Sequence, residues 1–225
     1  NREEAVKSSY GLYHMAILLP SREDLADVFK HIAELDYPFV GAADHGYSEA
    51  LYLEDLEGNG IELYRDKPVA EWDIRGDGRI VGVTEELSAQ EIYEMGRKVE
   101  PFVIAEETRM GHIHLSVKDS QLASAFYQDV LELADKFTIP GASWIASGDY
   151  HHHLAVNEWG GKNLVKREED MPGLAYYIVE VEDKGDLIAI AERANNRGAE
   201  VKWLSSNALT FGDNDSILTR VRKKY

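Results

Sequence analysis

Residues 44–64, DHGYSEALYLEDLEGNGIELY, decide how the rest of the chain is read. Glu49 to Leu53 is apolar and β-prone, Asp55 to Gly60 is a turn cluster of Asp, Glu, Asn and Gly, and Ile61 to Tyr64 resumes a strand. The stretch therefore predicts a β-hairpin. Alternation along its second strand puts Gly60, Glu62 and Tyr64 on one face and Ile61 and Leu63 on the other. The Glu62 carboxylate then points away from the more apolar side and needs water, a cation or a metal as partner. His45 and Tyr52 lie in the same stretch. His45 reads as an acid/base or an exposed turn residue, and Tyr52 as a packing strand aromatic.

Upstream, Gly11 to Leu19 (GLYHMAILL) predicts a strand closed by Pro20 and Ser21, with Ser21 as helix N-cap. Leu25, Val28, Phe29, Ile32 and Leu35 then recur at helical spacing, and Phe39 to Ala43 reads as a second strand. Residues 11–68 thus spell β-α-β-β-β. The order returns in 111–160, with a strand at Gly111–Lys118, a helix at Ser120–Leu131 and strands at Phe137–Ile139, Ser143–Ala146 and His151–Val156. A third copy, 173–225, has a strand at Leu174–Val181, a helix around Leu187–Ala194 and short strands near Val201–Leu204, Leu209–Phe211 and Ile217–Val221. Residues 69–110 read as a connector with a small hairpin around the Gly-Asp-Gly turn at 76–78 and a short helix at Glu91–Val99, and residues 1–10 as a loose lead-in. The fold class expected is α+β, built of tandem βαβββ modules.

The repeat aligns the candidate chemistry. His14 and His114 occupy corresponding first strands, and Glu62 and His153 corresponding last strands. Two histidines and one carboxylate leave coordination positions open on Fe(II) for substrate and dioxygen. A lone strand histidine is more often a satisfied core residue, and it is the repeat register that raises His14, Glu62 and His114 to a metal set. His112 shares a face with His114 and is either a rival ligand or a neighbour. In the triple His151-His152-His153, alternation sends His153 toward the site and His151 to its mouth, leaving His152 packed or exposed. His31 reads as solvent-facing. The third copy has Tyr176 and Tyr177 in its first strand and no ligand set. Glu180, Glu182 and the acidic run Glu168-Glu169-Asp170 read as solvated surface.

Composition bounds the function. The chain has 225 residues, 44% of them hydrophobic, and a net charge of −17, which argues against a nucleic-acid surface. Its basic cluster, Arg220 to Lys224, reads as a solvated end. The absence of cysteine removes disulfides, thiolate metal sites and Cys nucleophiles, and fits a cytoplasmic protein. No apolar run reaches membrane-spanning length, so no membrane partner is expected. Gly-rich phosphate loops and Ser-His-Asp elbows are absent.

These residues resemble the vicinal oxygen chelate superfamily, which includes the glyoxalases and the extradiol ring-cleaving dioxygenases. His45, Leu51, Tyr52, Asp55, Leu56, Gly58 and Glu62 follow the extradiol signature, with Leu56 where Pro is expected and Ala43 off-pattern ahead of the histidine. YHMAILLP, DHGYSEALYL and GDYHHHLAVNEW resemble bacillus-type catechol-2,3-dioxygenase proteins across nearly the whole chain. The resemblance implies modules pairing into cup-shaped sheets and four modules in all. Together with the start at Asn1, that leads to the expectation that a first module is missing. It further implies that the 11–68 and 111–160 modules face one another, with His14, Glu62 and His114 on Fe(II) or Mn(II). The alternative pairs the 11–68 module with the missing one. On this likeness His45 is an acid/base, Tyr52 donates to a substrate oxygen and His153 is an additional base or substrate contact. The partners implied are a small aromatic diol and dioxygen, with a homo-oligomer left open. Two rivals remain. One is a glyoxalase-like isomerase or thiol transferase on Ni(II), Zn(II) or Mn(II) with His153 as fourth ligand, and the other is a non-catalytic aromatic-binding protein.

Overall fold

The computed structural model describes residues 9–161, 163–168 and 171–224. The first unit runs β1 (Gly11–Leu18), α1 (Arg22–Glu34), β2 (Gly41–Asp44), β3 (Ser48–Glu54) and β4 (Gly60–Asp66). Ser21 caps α1 by accepting from the Asp24 N–H at 3.0 Å. In the β3–β4 turn the Asp55 carboxylate accepts from the Glu57 and Asn59 amides at 2.9 Å, while Gly58 takes φ +81°. The helix carries the chain from β1 to β2, and two antiparallel pairings, β2 with β3 and β3 with β4, then bring β4 beside β1 and parallel to it.

The connector then forms a 3-10 turn (Val69–Glu71), the two-residue strands β5 (Asp73–Ile74), β6 (Ile80–Val81) and β7 (Glu85–Glu86), and helix α2 (Ala89–Met95). β5 and β6 pair as the small hairpin expected at the Gly-Asp-Gly turn. The second unit is β8 (Arg109–Ser116), α3 (Ser120–Leu131), β9 (Ala134–Ile139), β10 (Ala142–Ala146) and β11 (Leu154–Asn157). The third is β12 (Tyr177–Val181), α4 (Lys184–Asn196), β13 (Lys202–Ser205), β14 (Ala208–Gly212) and β15 (Leu218–Lys223).

The first two units share one nine-stranded sheet in the order β7-β2-β3-β4-β1-β8-β11-β10-β9. They join where β1 and β8 run antiparallel. The third makes its own four-stranded sheet, β12-β15-β14-β13. Helix-side residues carry the cores. Leu25, Ala26 and Val28 of α1 pack with Leu51, Leu63, Leu87 and Ile92. Ala123, Phe126 and Val130 of α3 share a second cluster with Leu187, Ile190, Leu209 and Val221 of the third unit. The helices of units two and three therefore stabilise each other, and the opposite face of the large sheet stays free for a site.

Some expectations change. Ser9 and Tyr10 are buried, with Ser9 bridged to Val165, so the lead-in is docked by residue 9; residues 1–8 lie outside those described. Arg220 to Lys223 belong to β15 and are not a loose basic end. Arg222 pairs with Glu180 at 2.7 Å and Arg220 stacks over Tyr176. Ser216, two residues ahead of β15, takes a left-handed φ of +67° in the turn that leads into it. His31 is half-buried and stacks on Phe102 at 4.1 Å instead of facing solvent. Of the acidic run, Glu169 and Asp170 lie outside the described residues. No helix among those described is long and apolar enough to cross a membrane.

Candidate metal centre and its cavity

Strand register builds the site in two rows on the open face of the large sheet. Tyr52, Glu62, Ala16 and His112 are successive cross-strand partners on β3, β4, β1 and β8. Gly60, His14, His114, Ala155, Trp144 and Phe137 form the next row, across β4, β1, β8, β11, β10 and β9. Ala16 leaves only a methyl group between Glu62 and His112, so their side chains can lean together over it. His14 reaches in from the adjacent row.

The three atoms that meet are Glu62 Oε2, His14 Nε2 and His112 Nε2. They lie 2.9 Å (His14–Glu62), 3.2 Å (His112–Glu62) and 3.4 Å (His14–His112) apart, and all three residues are buried. Ligands about 2.1 Å from one ion and at right angles would stand about 3.0 Å apart, so this triangle fits one face of a coordination sphere. Burial alone would raise the Glu62 carboxyl, but His112 and His14 beside it outweigh this and hold it well below the usual carboxylate range. Burial pushes His112 down to about 4 against the pull of Glu62. At neutral pH the set therefore holds a carboxylate and a neutral His112 ring, the protonation state that cation binding demands. The Nδ1 of His112 is buried without a hydrogen-bond partner.

His114, expected in the metal set, lies outside this triangle. Its Nε2 accepts from Asn157 Nδ2 at 2.9 Å, and the Asn157 amide is oriented by its Oδ1 taking the Trp159 N–H, also at 2.9 Å. His114 is thus turned away from the triangle, although its ring stands 4.8 Å from that of His14. Burial, followed by the nearby imidazoles, keeps it well below the usual histidine range. His112 and His114 share a face, and register selects His112 because it stands opposite Ala16.

His153, expected to face the site, is not among the residues that line the cavity. The chain bends at His151 and His153 and β11 begins only at Leu154, so strand alternation does not extend over the triplet. His153 is exposed, with the Ser147 N–H 3.3 Å from its Nδ1. His152 is the one that lines the cavity, its ring 4.1 Å from that of His112. His151 is buried, stacked on Tyr47 at 4.2 Å and held at Nε2 by Asp66 at 2.9 Å. Its Nδ1 meets His152 Nδ1 at 2.8 Å. In the tautomer that places a neutral His151 Nε2–H on the Asp66 carboxylate, His151 Nδ1 accepts from His152 Nδ1–H, which leaves the His152 Nε2 lone pair free.

His45 and Tyr52 come together as a pair. His45 Nδ1–H donates to the Val83 carbonyl at 2.8 Å, so its Nε2 accepts from the Tyr52 hydroxyl at 2.7 Å. Burial, then the Glu62 charge, raises Tyr52 well above the usual phenol range. The 69–110 stretch is therefore more than a connector, since Val83 sets the His45 tautomer. A backbone carbonyl has no sequence signature, and sequence reasoning could not find it. Asn157 was visible only as part of the LAVNEW stretch.

The cavity above these rows has a volume of ≈ 580 Å³ and is lined by His14, Tyr52, Glu62, His112 and His152 on its polar side. Two βαβββ units meet at their first strands beside a two-histidine, one-carboxylate cluster that could hold a metal ion. No protein-family model matches the chain. The catechol-2,3-dioxygenase of Bacillus subtilis (strain 168) is 35% identical over 198 residues, which cover 87% of this chain and 69% of the relative. The crystal structure of a Bacillus subtilis protein assigned as a dioxygenase superposes with a TM-score of 0.63 at 10% identity, over 95% of this chain. The present chain spans 62% of that protein's length. A glyoxalase I variant from Zea mays superposes with a TM-score of 0.52 at 13% identity, over 96% of this chain and 70% of that one. The chain belongs to the vicinal oxygen chelate superfamily, in the family of the Bacillus catechol-2,3-dioxygenase.

Proposed function

We propose that this protein is an extradiol dioxygenase that opens a catechol-type ring beside its two hydroxyls, using Fe(II) or Mn(II) and dioxygen. The observation that carries the reading is the buried triangle of His14, Glu62 and His112 at the floor of a cavity also lined by the His45–Tyr52 pair and His152. Held by that triangle, the metal would supply Lewis-acid and one-electron chemistry toward the diol and dioxygen. The remaining steps fall to the chain's own residues. A diol hydroxyl laid against the Tyr52 oxygen passes its proton along the 2.7 Å contact to His45 Nε2, and the Val83 carbonyl holds the imidazolium that results. His152 takes the role that the family resemblance implied for His153. Its free Nε2 is the second proton acceptor, oriented through His151 by Asp66.

The glyoxalase-like rival on Ni(II) or Zn(II) needs a fourth protein ligand, and His153, its candidate, points away from the triangle. The test is electron paramagnetic resonance of protein loaded anaerobically with Fe(II) and nitric oxide. A high-spin signal that changes on adding catechol, disappears in Glu62→Ala and His112→Ala and persists in His114→Ala supports the reading. No signal from protein that still binds Zn(II) favours the isomerase, and no metal binding leaves an aromatic-binding cup.

A further inference from the structure

The polar half of the cavity accounts for a diol, but a single diol ring fills only a fraction of ≈ 580 Å³. Cavities of about 300–1,000 Å³ enclose ligands several times larger. The rest of the wall is aromatic and continuous. From His114 the rings step to Tyr13 at 5.0 Å and Trp159 at 5.3 Å, from Trp159 to Trp144 at 6.2 Å, and from Trp144 to Phe137 at 5.5 Å. Register explains the continuity, because Phe137, Trp144 and His114 share one row and only the Ala155 methyl group stands between Trp144 and His114. Part of this wall stays open: Trp159 is 51% exposed and Tyr13 41%, and Ile139, which also lines the cavity, is 37% exposed. Large apolar surfaces left open inside a cavity mark a binding wall.

Charge narrows the ligand further. Among the described residues no lysine or arginine lines the cavity, and the charged residues that do, Glu54 and Glu62, are both acidic. A carboxylate carried on the substituent, away from the metal triangle, would lose water there and meet no lysine or arginine in return.

We propose, resting on the diol-cleaving reading above, that the substrate is an uncharged diol bearing a bulky apolar substituent, and that Trp144 and Trp159 select it. The ring to be opened sits over His14, Glu62 and His112, and the substituent lies along Trp159, Trp144 and Phe137. Diols carrying a carboxylate on that substituent are excluded by the missing lysine or arginine.

The experiment is calorimetry, with tryptophan fluorescence in parallel, on anaerobic Fe(II)-loaded protein, so that binding is read without turnover. The probes are catechol, 4-phenylcatechol, 3,4-dihydroxyphenylacetate and its methyl ester. The expected result is that 4-phenylcatechol binds about tenfold or more tighter than catechol, and the ester about tenfold or more tighter than the acid. In Trp159→Ala and in the milder Trp144→Phe the phenyl preference shrinks severalfold while catechol affinity changes little. Ile139→Lys, on the edge strand β9, places an ammonium at the cavity wall and raises affinity for the acid relative to the ester. An acid that binds as tightly as its ester, or a phenyl group that adds nothing, overturns the proposal. Air is then admitted to the 4-phenylcatechol complex. If the preference holds but no oxygen is consumed, the dioxygenase reading fails while the ligand class stands; if no diol binds at all, both fail.

Discussion

The first and third units fold alike and do different work. In each, a first strand lies parallel to a last strand beneath one helix, and the helix-side face is apolar, through Leu25 and Leu63 in one and Leu187 and Val221 in the other. On the open face they diverge. The first unit places His14 and Glu62 there beside the β1–β8 junction, so that a neighbouring strand can add His112. The third places Glu180 and Arg222 there, and they neutralise each other at 2.7 Å. The fold constrains only the helix side, so the open face is free to carry chemistry, and it does so where two first strands meet.

The sharpest way to break that contrast lies at the β10–β11 loop, where three adjacent histidines have separate fates. His152→Ala should lower kcat about 10²- to 10⁴-fold, the span expected for losing a general base, while His153→Ala should leave it within about twofold. Steady-state oxygen uptake with a saturating diol measures both. Equal losses would mean that the triplet acts through folding and not through the His152 lone pair.

The third unit is tested from its core. Leu187 is fully buried between α3, α4 and the small sheet, so Leu187→Ala should cost about 2–5 kcal/mol in urea unfolding. Metal affinity of the folded fraction should stay unchanged, since no third-unit residue belongs to the triangle. A parallel loss of metal affinity would show that the small sheet positions the site.

A smaller effect is expected at Gly60, where β4 passes β1. A Cβ added there would run into the Tyr13 carbonyl oxygen and the His14 Cβ. Gly60→Ala should therefore pry β4 from β1, spread Glu62 from His14 and weaken metal binding about tenfold, the scale of losing a supporting residue. Competition against a chromophoric chelator reads this directly.

Much of this was legible in the sequence because periodicity reports which face a residue occupies. The three βαβββ runs, the 76–78 hairpin and the Glu62 face all follow from alternation or helical spacing. Alternation cannot choose between His112 and His114, which lie two residues apart on one face. That choice belongs to the β1–β8 register, whose shifts between Leu12 and His14 and between Ala16 and Ile17 no local pattern reveals. At His153 alternation does not apply for a related reason, since the chain bends just before β11 and the two-residue period starts again at Leu154.

The gentlest test concerns how the 69–110 stretch is held to the first unit. The Asp27 carboxylate on α1 accepts from the Arg97 backbone N–H at 2.7 Å and from its guanidinium at 2.6 Å, and so pins the segment that follows α2. The Arg97 side-chain hydrogen bonds, opposed by partial burial, hold Asp27 below the usual carboxylate range. A depressed folded-state value gives stability that is present above the ordinary Asp range and lost as pH falls through the folded value. The Arg97 side chain is largely in water, so screening keeps the contribution modest. Asp27→Asn should thus lower the urea midpoint near neutral pH by less than Leu187→Ala does, and the gap from the parent should close in acid. A gap that persists below the Asp range would mean that Asp27 holds the segment by shape and neutral hydrogen bonds, with its charge contributing nothing.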